Sequence, residues 1–353
     1  MSTNPPTQDQ TKAKHHYVTR AYLDNMLARG EKRLWVYERN SDRVFRNIPA
    51  NLASARAYYT TTNKDGVEQD QFEKLLAADI EGPGIPVIRK LSVGSSQLSM
   101  QEIAYGAMLI ATQELRVPFK MEQLSAMMKA AGESFLKSAM SRPGVMESAF
   151  QELKDSGKIN PLLSADEMRR NYDEGGFDIV TTTSGKLWAL GTMLRQLINT
   201  YAMMKWTVLI APEEMIVTSD CPVCRDYPVA PGAPAGVVNP DLTLYFPISP
   251  TRVVVLQHDV KKWSRVQHLM RAGRKRESEK LREAPSEISY KHISKVAAGR
   301  VNKMIVERAM RWVYSPVEMP DVPKLFRGES RNVRVEIEKL DDVGTVRVTH
   351  RLS

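Results

Sequence analysis

Strand-forming runs in this chain come in neighbouring pairs joined by short polar turns, and that pairing limits the fold to antiparallel sheet. Leu34-Trp35-Val36-Tyr37-Glu38-Arg39 and Val44-Phe45-Arg46-Asn47-Ile48 flank Asn40-Ser41-Asp42-Arg43. Thr207–Ile210 and Met215–Thr218 flank Pro212-Glu213-Glu214, and Leu242–Pro247 and Val253–Gln257 flank Ile248-Ser249-Pro250-Thr251. Near the end, Arg331–Glu338 and Thr345–Leu352 alternate, Val333, Val335 and Ile337 facing Val346 and Val348 across Asp341-Asp342-Val343-Gly344. β-Branched and aromatic residues around turn formers read as hairpins, since the two runs reach each other at small loop cost. No strand–helix–strand alternation with a Gly-rich first turn accompanies them, which disfavours a dinucleotide-binding fold. A phosphate-cradling GxxxxGK[ST] loop and an HExxH pair are also absent.

Helical periodicity fills the intervals. Val18, Tyr22, Leu23, Met26 and Leu27 recur at helical spacing, with Gly30 as a stop. Phe72, Leu75, Leu76 and Ile80 mark a helix over 69–91, which Gly82-Pro83-Gly84 and Pro86 should interrupt. Ser99 and Glu102 form a capping box opening a helix that Pro118 should end or kink. Further helices are expected over 122–140, 187–205 and 287–313, and the mixed-charge run 271–283 as an exposed helix or loop. Residues 145–185 are poorly patterned, their 174–177 run and 181–185 end reading as loops and short strands, and 225–240 reads as a long loop. The expectation is an α+β fold, with a helical layer packed against antiparallel β-hairpins and an added C-terminal β-hairpin. Its expected divisions are a disordered lead-in over 1–14, one domain over 15–316 and a hairpin extension over 317–353.

Charge directs attention to a class of partner. Lys and Arg number 50 against 41 Asp and Glu, a formal net charge of +9 with a pI near 9.4. Such an excess favours a polyanion, nucleic acid first, because lysine and arginine neutralise phosphates. No apolar run is long enough to span a membrane, so no membrane partner is expected. The opening residues lack a signal-peptide core, and two cysteines make no disulfide framework. Both suit a cytoplasmic location.

His15-His16-Tyr17-Val18 with Tyr22-Leu23 opens a series of short motifs. It continues through the Trp-Val-Tyr hairpin, Phe72-Glu73 and Ile80-Glu81, Gln113-x-x-Arg116-x-Pro118, Trp206, and Thr218-Ser219-Asp220-x-Pro222-Val223. Pro247-x-Ser249-Pro250 and Asn302 end it. In this order the motifs resemble the bacterial family called domain of unknown function 4238, over roughly residues 14–315. That family usually has Pro where this chain has Thr19, and often Asn where it has Cys221. Proline and threonine both suit a helix start. The resemblance implies no established activity.

The chemistry must therefore come from the residues. His15 and His16 are candidates for a general base or a metal ligand, or else pack against the first helix through hydrogen bonds. Gln113 and Arg116 share one side of a helix, and Asp220 at a strand end is the expected partner of Arg116. Together they would make an anion clamp, or a buried pair tying helix to sheet. Glu73 and Asp220, with Glu81 as a further carboxylate, are candidate ligands for a divalent metal. Cys221-Pro222-Val223-Cys224 is a single CxxC, with His258 and His268 downstream and no second CxxC, and is a poor zinc or redox motif. The expected function is a nucleic-acid-directed protein and, more narrowly, a nuclease-like phosphodiester hydrolase. The alternative is a non-catalytic nucleic-acid-binding or regulatory protein whose polar motifs are structural.

Overall fold

The alternating runs build two main sheets, and the chain passes between them where the sequence suggests a single hairpin. The computed structural model describes residues 14–63, 65–142, 144–157, 164–174, 179–226, 236–284, 288–328, 333–339 and 346–352. The larger sheet has five strands in the order Ser289–His292, Lys205–Ile210, Arg252–Gln257, Thr243–Ser249, Cys224–Asp226. Its neighbours are antiparallel except Ser289–His292, which runs parallel to Lys205–Ile210. The second sheet orders Val44–Asn47, Leu34–Glu38, Trp312–Ser315 and Thr218–Ser219, all antiparallel. Helices pack against these strands, and the fold is α+β.

Two expected hairpins form as read. Leu34–Glu38 pairs with Val44–Asn47, and Thr243–Ser249 with Arg252–Gln257. The expected pairing of 207–210 with 215–218 does not form. Val253, Val254 and Val255 already occupy the flank of Lys205–Ile210, register Val254 to Val208, so the chain crosses to the other sheet. On the way Met215 and Ile216 donate their N–H groups to Pro250 O at 2.9 and 2.8 Å. The helix expected over 287–313 is cut to Lys295–Arg308, with a strand on either side. Val333–Lys339 and Val346–Leu352 pair in a two-stranded sheet; the turn expected between them, and the lead-in over 1–13, lie outside the described residues.

The helices follow their signals closely. Ser99 and Glu102 close the capping box, and the helix Met100–Leu115 ends before Pro118 opens Pro118–Met140. Gly106 on the first of these lies against the sheet: a Cβ there would sit 2.9 Å from the Trp206 ring, so only glycine admits the approach. The expected interruption at 82–86 is absent. Gln71–Leu75 runs into a π-helical turn over Leu76–Glu81 and then into Gly82–Ser92, which takes Pro83 in its first turn. Residues 145–185, poorly patterned in sequence, contain the helices Val145–Asp155 and Ala165–Asp173, and the expected loop at 181–185 runs into the helix Thr183–Met203.

By internal contacts the chain divides into two units. One gathers residues 1–121, 187–332 and 352–353; the other gathers 122–186 with 333–351. Everything described next lies in the first.

Candidate functional site

The opening motif is a short strand, Lys14–His16, paired with Ser54–Arg56, so its two histidines point to opposite sides. His15 is fully buried, its ring stacked 5.8 Å from Tyr59. The backbone N–H of Tyr59 donates to His15 Nδ1 at 3.0 Å. Nδ1 therefore carries no proton, which places the ring proton on Nε2, 3.4 Å from Asp70 Oδ1. In this tautomer Nε2 presents an N–H toward Asp70. His16 is half-buried, with Nε2 3.2 Å from Ala50 O. Burial, assisted by the charges of Lys14 and Arg116, holds its pKa below the ordinary histidine range.

Arg116, at the end of the capping-box helix, has no exposed surface. Its Nη1 donates to Glu81 Oε1 at 2.8 Å, its Nε to the carbonyl of Tyr17 at 3.1 Å, and its Nη2 to Thr19 Oγ1. Gln113 Nε2 donates to the same hydroxyl, which in turn donates to Glu81 Oε1 at 2.9 Å. Tyr59 Oη donates to the Arg116 carbonyl at 3.0 Å, joining this group to His15. The structure thus brings together His15, Gln113 and Arg116 with Thr19, Glu81, Tyr59 and Asp70, which sequence reasoning did not place there. Thr19 is more than a helix-start residue: its hydroxyl is the hub.

Asp220 is not the partner of Arg116. Its carboxylate accepts the backbone N–H groups of Met310, Arg311 and Trp312 at 2.9, 2.7 and 3.0 Å. Burial pushes its pKa up while these three donors oppose the rise. A carboxylate so engaged serves the turn before Trp312–Ser315. Tyr17 stands between the two groups: its carbonyl takes Arg116, and its phenol bonds to Tyr314 and senses the charge of Asp220.

Glu73 behaves differently from every other carboxylate named so far. It is partly exposed, yet Oε2 is buried and lacks a hydrogen-bond partner among the described residues. Burial raises its pKa above the ordinary range, against the pull of Arg116 and His15. It lies just before the π-helical turn that carries Glu81, a backbone form found often at functional sites. The shared metal site considered for Glu73 and Asp220 is not formed: among the described residues no three His, Cys, Asp or Glu side chains gather as a cation would need. Cys221 and Cys224 are buried free thiols, and burial pushes Cys224 up to about 12, which suits packing rather than metal or redox work. Sequence reasoning also missed a buried pair, Glu114 Oε1 with Arg225 Nε at 2.5 Å, joined by the Tyr201 hydroxyl.

A run of exposed cations lies elsewhere. Asp259 caps the helix Val260–Arg271, accepting from Lys262 N at 3.0 Å. Gly273, at φ +74°, turns the chain into a second helix, Lys275–Glu283, which packs on the first through Val266, Leu269 and Ser278. Lys261, Arg265, Arg271, Lys275, Arg276 and Lys280 stand exposed on this helical hairpin, while Arg274 pairs with Glu277 at 2.6 Å.

The model of the family described as a protein of unknown function, DUF4238, matches residues 14–317. The chain belongs to that family. No curated protein and no solved structure matches it. The DUF4238 match takes in the opening strand, the Arg116 group, Asp220 and the basic hairpin. Among the described residues no helix is long and apolar enough to cross a membrane.

Proposed function

We propose that this chain is a nucleic-acid-directed protein that holds the phosphate backbone through the helical hairpin Val260–Glu283. The supporting observation is the density of exposed lysine and arginine on one hairpin whose inward face is filled by Val266 and Leu269. Mobile cations at the ends of long side chains meet phosphates without base recognition and release condensed counterions. The polar motifs at Arg116 and Asp220 are architecture in this reading, because each charge is met by protein groups. The test is a titration of single- and double-stranded DNA and RNA at several salt concentrations. Affinity should fall steeply with salt, and Lys275→Glu with Arg276→Glu should flatten the slope, by roughly 0.9 for each duplex phosphate no longer neutralised. Absence of binding at low salt to all four would end the proposal.

Glu73 supports a second reading, phosphodiester hydrolysis. Its carboxyl, with one buried oxygen left without a hydrogen bond and a pKa raised by burial, is the kind of group that takes up and returns protons. In that step the carboxylate takes a proton from water as the water oxygen bonds to phosphorus. The ester P–O bond breaks, and the leaving oxygen gains a proton from solvent. Labelled oligonucleotides cleaved by the wild type but not by Glu73→Gln, with binding retained, would support it; no cleavage by either would remove it.

A further inference from the structure

On the four-stranded sheet, two arginines sit over two aromatic rings on one face. Val44–Asn47 is an edge strand, and Phe45 pairs with Val36, which pairs in turn with Tyr314. Glu38 pairs with Trp312, so Phe45, Glu38 and Trp312 rise from the same face of three adjacent strands. The rings of Phe45 and Trp312 meet edge to face, 6.0 Å apart at 86°, and both remain partly exposed. Arg43 sits 4.7 Å over the Phe45 ring and Arg311 4.8 Å over the Trp312 ring. Glu38 keeps both guanidinium groups in place. It accepts from Arg311 Nε and Nη2 at 3.0 and 2.8 Å and lies 3.5 Å from Arg43 Nη1. The two arginine side chains are 61% and 66% exposed, so each guanidinium has a ring beside it and remains open to water.

We propose that the open part of this face, beside the buried Val36 and Tyr314, is a stacking platform for the unpaired bases of single-stranded nucleic acid, with the Arg43–Phe45 and Arg311–Trp312 pairs each receiving a base. A guanidinium plane and a part-exposed ring both accept the π-face of any base, and an aromatic-bearing sheet gives such bases a flat support. Paired bases in a duplex present only their edges, so the platform selects single strands. The two arginines against one glutamate leave positive charge beside the strand's phosphates. The inference rests on the nucleic-acid reading above and deepens it: the basic hairpin supplies attraction common to all strands, and the sheet supplies the choice among them.

The experiment uses the full chain with a fluorescent oligo-uridylate and a mixed-sequence DNA duplex of equal charge, measured by anisotropy across a salt series. Wild type should prefer the single strand. Phe45→Leu and Trp312→Leu, which keep apolar bulk, should each lower single-strand affinity roughly tenfold. Duplex affinity, salt slope and melting temperature should stay as in the wild type. Tryptophan emission should be quenched by the oligo-uridylate in the wild type and less so in Trp312→Leu. If either leucine variant unfolds, Arg43→Gln replaces it, expected to show the same selective loss. Single-strand affinity unchanged in the variants would overturn the platform while leaving the nucleic-acid reading standing, and would fit a protein partner for this face. No binding of either probe by the wild type would overturn both.

Discussion

The Thr19 hydroxyl receives Gln113 and Arg116 and passes its own proton to Glu81, so one oxygen joins the first helix, the π-helical turn and the capping-box helix. Thr19→Val keeps the shape and removes that oxygen, leaving two buried donors short of an acceptor. It should cost about 1–3 kcal/mol in chemical denaturation. Arg116→Ala strips Glu81 of its cation and should cost about 3 kcal/mol, the lower end for such a pair because Glu81 still reaches water. A soluble Arg116→Ala protein with wild-type melting would show that the pair carries no such weight. Glu73 gives a pH signature. Its folded pKa lies above its unfolded value near 4.5, so the folded chain binds the proton more tightly. Stability should then fall as pH rises from about 4.5 through the folded value. Glu73→Gln should melt like the wild type at pH 4 and above it at pH 8; equal melting at both pH values would contradict the shift. His15, Gln113 and Arg116 were legible because spaced polar residues beside apolar stripes demand partners. Which carboxylate answers Arg116 was not legible. Glu81 and Asp220 are equivalent in sequence, and only the three backbone donors of 310–312 remove Asp220 from the choice.

At the scale of elements, the sequence predicted best where a signal is local. The capping box, the Asn40 turn at φ 56° and the 243–257 hairpin each depend on residues a few positions apart. Misreadings arose where a distant strand competes. Met215–Thr218 looks like the return arm of a hairpin, but the valine run 253–255 takes its place, and the arm's last residue pairs with Tyr314 instead. The long helix expected over 287–313 shows the same effect, since Ser289–His292 and Trp312–Ser315 are drawn into different sheets. Asp220 fixes the second of these strands by its start. Asp220→Ala should free the N–H groups of Met310, Arg311 and Trp312, and hydrogen exchange at those three amides should quicken well beyond that of the wild type. Unchanged exchange would mean that the strand pairing alone holds the turn. Arg39 assists from the other side, donating to the carbonyls of Val306, Glu307 and Met310 at the end of the helix Lys295–Arg308.

For the molecule as a whole, the excess of positive charge is unevenly spent. The hairpin Val260–Glu283 gathers exposed cations, whereas the buried Arg116 and the part-buried Arg39 and Arg225 are held by protein oxygens. A count of charges from composition cannot tell these two populations apart, which is why the pI pointed to a partner class but not to a surface. The four-stranded sheet has one further implication, which concerns the order of synthesis. Trp312–Ser315 sits between Leu34–Glu38 and Thr218–Ser219, so Leu34–Glu38 has only its hairpin partner until residues 312–315 have left the ribosome. At ordinary elongation rates that wait is about 15–55 s. During it the inner edge of Leu34–Glu38, with Leu34, Val36 and Tyr37 bare, is open to pairing with any other nascent strand. A chain stopped before Trp312 should therefore aggregate on expression, and supplying the missing segment within the same reading frame should restore it. The strand Trp312–Ser315 is in effect the latch on Leu34–Glu38, and the protein is made in an order that leaves that edge waiting for its partner.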